Sequence, residues 1–97
     1  MGEFGRTPKF GRPDGRDHWP TSFSAVLAGG GVKGGQVLGD TGRDGAAIKD
    51  RPVTVPELLA TICAALGINY HKQNVSNVGR PIRIVAPGTH AVQEALS

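Results

Sequence analysis

Thr54-Val55-Pro56-Glu57-Leu58-Leu59-Ala60-Thr61-Ile62-Cys63-Ala64-Ala65-Leu66-Gly67-Ile68 is the stretch whose structure is marked at both ends. Thr54 and Glu57 have the spacing of a capping box, in which each side chain binds the other residue's backbone N–H. Pro56 falls in the first turn, where a missing N–H costs nothing because no carbonyl would pair with it. Leu58, Leu59, Ile62, Cys63 and Leu66 recur at helical spacing and predict one apolar face. Gly67 supplies a left-handed stop, and Ile68 can fold back on the last turn as in a Schellman motif. The spacing therefore predicts a helix over Val55 to Leu66. Cys63 lies on the apolar stripe, so its thiol reads as a core group rather than a nucleophile.

Only short extended pieces flank this helix. Ser22 to Ala28 alternates, with Phe23, Ala25 and Leu27 on one face, and predicts the first strand. Gln36 to Gly39 predicts a second, weaker one. Between them, Gly29-Gly30-Gly31-Val32-Lys33-Gly34 matches the letters of a dinucleotide fingerprint. That motif must open a helix, and Gly34-Gly35-Gln36-Val37 is poor helix sequence, so the stretch reads as a glycine-rich hairpin or bend. Asp40 to Arg51 is polar, with a hairpin tip expected at Asp44-Gly45. Asn69 to Gly79 reads as a polar loop. Arg80 to Val85 reads as a strand with Ile82 and Ile84 on one face, Pro81 keeping its start at an edge. Thr89 to Leu96 predicts a last helical turn or two. One helix among short strands and many turns gives an α/β chain that is loop-rich.

Composition limits the core. With 97 residues, the chain has room for at most one small domain. It holds 15 glycines and 7 prolines, and 38% of its residues are hydrophobic. A core this size is marginal against the entropy of ordering so many glycines, so the chain is expected to pack against something else. The net charge is +3, but the basic residues are scattered and form no helical stripe, and no nucleic-acid module is recognisable. The single cysteine excludes an internal disulfide. No apolar run reaches the length needed to span a bilayer, and Met1-Gly2-Glu3-Phe4-Gly5-Arg6 lacks the apolar core of a signal peptide.

Chemistry concentrates near the start, in Gly15-Arg16-Asp17-His18-Trp19-Pro20 and Gly2-Glu3-Phe4-Gly5-Arg6-Thr7-Pro8. Met1 to Pro20 reads as irregular, with Met1 to Glu3 as the tail of a strand. Loops past the carboxyl ends of strands are where open α/β sheets place ligands. Carboxylate and neutral imidazole ligate divalent metals. Arginine presents a planar fork of donors to phosphate, sulfate or carboxylate. The plainer alternative is a surface or capping role for His18, with Asp17 paired to Arg16 or capping a turn. His71 and His90 read as solvated polar residues.

Four segments carry a resemblance. They are Gly2 to Pro8, Gly15 to Pro20, Leu27-Ala28-Gly29-Gly30-Gly31-Val32-Lys33-Gly34-Gly35, and Asp50-Arg51-Pro52-Val53-Thr54-Val55-Pro56-Glu57-Leu58-Leu59-Ala60-Thr61-Ile62. Together they resemble the C-terminal part of the bacterial, sulfatase-like domain of unknown function 1501, related to the alkaline-phosphatase superfamily. The resemblance runs from about Gly2 to Val85.

The resemblance implies a C-terminal fragment of an α/β/α sandwich with a site for one or two divalent metals, zinc, calcium or manganese. It implies a hydrolase of phosphate or sulfate esters whose nucleophile lies in an N-terminal half outside this sequence. Residues 1–97 would then be an incomplete portion of a single domain, partnered by the rest of it and inactive alone. Glu3 and Phe4 stand where the superfamily has Asp-His, and His18 fits a downstream metal histidine. Phe4 departs from the pattern, since phenylalanine cannot ligate. Glu3, Asp17 and His18 are the implied metal residues, with Asp17 either a ligand or the orienter of His18. Arg6 and Arg16 are the implied catalytic residues that hold the anionic group. Two other readings stay open: a non-catalytic domain binding an anionic ester or sugar, and a non-functional truncated fragment. The resemblance also suggests an exported, periplasmic or extracellular bacterial protein.

Overall fold

In the computed structural model, which describes residues 1–9 and 15–97, the helix α1 spans Val55–Ala65. Its start is built as its residues require. The Glu57 backbone N–H donates to Thr54 Oγ1 at 3.3 Å, and the Thr54 N–H donates to Glu57 Oε2 at 2.8 Å. Its end is a Schellman closure. Gly67, at φ 77°, donates to Ala64 O at 3.1 Å, and Ile68 donates to Cys63 O at 2.8 Å. Thr54→Ala removes one half of the box. It is expected to lower stability by about 0.5–2 kcal/mol, read as a lower urea midpoint with faster amide exchange at Glu57.

The chain divides into two compact units, Met1–Leu27 with Val37–Pro52, and Ala28–Gln36 with Val53–Ser97. The first holds two antiparallel ladders. β1 (Gly5–Arg6) pairs with β2 (His18–Trp19), and β3 (Asp40–Thr41) pairs with β4 (Ile48–Asp50). The β3–β4 hairpin closes at the expected tip. Gly42 donates to Ala47 O, Asp44 Oδ1 accepts from Ala46 N–H, and Gly45 sits at φ 75°. A register shift leaves Asp40 opposite Asp50 and Thr41 opposite Ile48.

The second unit holds α1, the ladder of β5 (Gln73–Val75) with β6 (Pro81–Arg83), and a 3-10 turn at Gln93–Ala95. Its core is Ala60, Val85 and Ala91, with Ala64, Tyr70, Ile84 and Leu96 packed around it. Thr61 ties the helix to the C-terminal segment, since its hydroxyl donates to Glu57 O and accepts from Val92 N–H at 2.8 Å. The described residues thus make a small mixed fold, loop-rich, with one α-helix and short antiparallel strand pairs. None of its helices is long and apolar enough to cross a membrane.

Several local expectations are corrected. Ser22 to Ala28 forms no strand. Alternation only pays off when a neighbouring strand takes up the backbone groups, and no ladder forms there; Val26 is 87% exposed. Gln36 to Gly39 is likewise unpaired, and the ladder begins one residue later, at Asp40. Met1 to Glu3 is no strand end, because pairing starts at Gly5. Met1 to Pro20 is not wholly irregular, since it contributes β1 and β2; residues 10–14 of that stretch lie outside the described residues. The polar loop Asn69 to Gly79 contains β5, and the strand after it is confined to Pro81–Arg83.

The helix also buries a different face. Ala60 and Thr61 are the buried positions, whereas Leu59 and Leu66 are exposed and Cys63 is half-buried. Small residues let the C-terminal segment approach close enough for the bond from Val92 to Thr61, which a leucine-bearing face would hold off. The turn at Gly29 to Val32 agrees with the glycine-rich bend, for Val32 donates to Gly29 O at 3.3 Å and no helix follows.

Candidate functional site

The β1–β2 ladder joins the two motifs near the start of the chain. Gly5 pairs with Trp19, and Arg6 pairs with His18. A clasp at the end of the ladder holds this register. Thr7 N–H donates to Asp17 O at 2.9 Å, and Asp17 N–H donates to Thr7 Oγ1 at 3.2 Å. The Thr7 hydroxyl in turn donates to Lys9 O at 2.8 Å. The Arg6 guanidinium reaches across to the Arg16 carbonyl at 3.4 Å.

One side of the ladder is closed. A Cβ on Gly5 would stand 2.5 Å from Ser22 O and 2.9 Å from Phe23 Cβ, so only glycine allows this approach. Trp19, the neighbour of His18, donates its indole N–H to Ala46 O at 2.8 Å and so tethers the ladder to the β3–β4 hairpin tip.

Phe4, Arg6 and His18 form a stack. The Phe4 and His18 rings lie 3.9 Å apart at 29°, and the Arg6 guanidinium carbon lies 5.4 Å from the centre of the Phe4 ring. Phe4 is half-buried, while Arg6 and His18 are exposed. The aromatic ring faces the imidazole on one side and orients the guanidinium by cation–π attraction. An arginine held this way keeps donors open to an oxyanion, with less conformational freedom to lose on binding.

Residues 1–96 match the model of a family described as a protein of unknown function (DUF1501). The chain belongs to the DUF1501 family. No curated protein and no solved structure matches it.

In this DUF1501 chain the structure pairs Arg6 with His18 directly, joins the Arg16 carbonyl to the Arg6 guanidinium, and joins the Asp17 backbone to Thr7. Glu3 is exposed, two residues ahead of β1. Among the described residues, no three His, Cys, Asp or Glu side chains gather into a group that could hold a metal ion. Glu3, Asp17 and His18 therefore do not fit a complete metal centre by themselves, and no step of chemistry is derived through one.

Two contributors were not legible in the residues taken singly. Thr7 acts as the clasp, and its only signal was a hydroxyl in the loop after Arg6. Phe4 stood out as a departure from a ligand pattern, but its stacking role depends on which residue pairs across the ladder.

Proposed function

We propose that this DUF1501 chain is the C-terminal part of a sulfatase-like α/β/α sandwich, related to the alkaline-phosphatase superfamily, that hydrolyses phosphate or sulfate esters with a divalent metal. Within it, the β1–β2 ladder holds the anionic group of the ester. The observation that carries this reading is the register Arg6 opposite His18, with Arg6 poised over Phe4 and bonded to the Arg16 loop. Arg6 and Arg16 supply forked donors that hold a tetrahedral oxyanion and stabilise charge as it grows on the leaving oxygens. His18 and the carboxylates of Glu3 and Asp17 would be a partial ligand set, completed by residues outside this chain.

A non-catalytic reading has its own support. Phe4 occupies the position beside Glu3 where a ligand would be useful, and instead lays its ring on His18. A domain that only binds an anionic ester or sugar needs the arginines and the stack, and no metal.

Titration of the chain with inorganic phosphate and with sulfate tests the shared element. Arg6→Ala is expected to weaken binding about tenfold or more, equivalent to about 1.4 kcal/mol. Arg6→Lys should recover only part of it, because a point charge cannot reproduce the fork. Binding unchanged in both Arg6→Ala and Arg16→Ala would overturn the anion site. In the complete protein, metal content separates the two readings: the hydrolase reading expects His18→Ala to lose metal and Phe4→Ala to keep it. Equal metal in both variants would sink the ligand role of His18.

A further inference from the structure

Outside that site, the second unit brings two histidines from distant parts of the sequence together. The His71 and His90 rings lie 6.1 Å apart, centre to centre, and meet edge to face at 69°. Tyr70 joins the two chain segments. Its ring lies 4.4 Å from that of His71, and its hydroxyl accepts the Ala91 N–H at 3.2 Å, one residue from His90. The backbone on both sides is anchored. Ala91 and Val92 are buried, Val92 N–H donates to Thr61 Oγ1, and His71 N–H donates to Asn69 Oδ1 at 3.0 Å. Both imidazoles are nonetheless exposed.

We propose that His71 and His90 form a two-histidine site for a borderline divalent transition-metal ion such as zinc, with water completing its coordination. Imidazole nitrogen binds such ions at about 2.0–2.1 Å, so two rings on one ion bring their centres about 5–6 Å apart. The observed separation lies close to that span, and both side chains are exposed. The fold has already ordered the backbone, which removes much of the entropy that two free histidines would lose. Lys72 follows His71 and is exposed, so its charge opposes the cation but can remain in water. This keeps the site one of modest affinity. The inference does not depend on the ester-binding reading, because it uses no residue of the β1–β2 ladder.

Zinc titration of the full chain, followed by the imidazole signals of each histidine in nuclear magnetic resonance spectra, tests it. The signals of His71 and His90 are expected to move together with one midpoint. His90→Gln should weaken the response of His71 about tenfold or more, and His71→Gln should do the same to His90. Cys63→Ser should leave both unchanged, which excludes the thiol as the ligand. Independent midpoints for the two rings, or an unaltered response of either ring when the other is replaced, would overturn the site.

Discussion

Replacing Gly31 by alanine is expected to lower the stability of the second unit by about 2–5 kcal/mol. Two terms combine. Gly31 adopts φ 79°, a left-handed conformation in which a side chain costs about 1–3 kcal/mol. The added Cβ would also stand 2.6 Å from Ala65 O and 3.1 Å from Ala65 Cα, both backbone atoms of the last helical turn. Neither can swing aside as a side chain would. Gly31 is also a junction, because its carbonyl accepts the Ser97 N–H while Val32 bridges Leu96 and Lys33 donates to Ala95 O. Gly67→Ala is the matched comparison. Its φ is 77°, yet nothing lies within 4 Å of its added Cβ, so it should show the conformational term alone. Urea midpoints of the two variants separate the terms, and equal losses would show that the contact with Ala65 contributes nothing.

Thr61→Val is expected to cost about 1–3 kcal/mol although the two side chains have nearly the same shape. Thr61 is 1% exposed, and its hydroxyl is the acceptor for the buried Val92 N–H. Valine leaves that donor without a partner, and an unpaired buried N–H loses its hydration with nothing in exchange. Thr61→Ser keeps the oxygen and removes one methyl, so it should cost about 1 kcal/mol. Urea midpoints rank the two variants, and amide exchange at Val92 should accelerate in the valine variant alone. A serine variant weaker than the valine variant would show that packing of the methyl, and not the hydrogen bond, holds this contact.

What was legible in the residues was local. The capping box and the Gly67 stop act within a few residues of one another, so α1 and both its ends were readable. The tip at Asp44-Gly45 was readable for the same reason. Pairing across distance was not. β1 and β2 are two residues each, with Gly5, Arg6 and His18 showing no alternation, and their register depends on a clasp between Thr7 and Asp17. Gln73 and Asn74 carry no strand preference, yet β6 gives them a partner after the turn that brings Gly79 N–H to Ser76 O. Conversely, Ser22 to Ala28 has the alternation of a strand without a ladder. The helix face failed for a related reason: hydrophobic periodicity marks the greasiest side, whereas close approach selected Ala60 and Thr61. At the candidate site, Arg6 and His18 were visible as chemistry, but their pairing and the Phe4 ring against both of them were visible only in the fold.

The tether between Trp19 and Ala46 has an optical consequence. Trp19 is the only tryptophan of the chain, is half-buried, and belongs to the first unit, whereas α1 belongs to the second. Indole emission therefore follows one half of the molecule and helical circular dichroism follows the other, without any label. Coincident denaturation curves would mean that the two units melt as one cooperative block, and separated curves would mean that each has its own transition. Gly31→Ala serves as the perturbant, because it strikes only the unit without the tryptophan. If indole emission then keeps its original midpoint while the dichroism shifts, the two halves hold their structure independently.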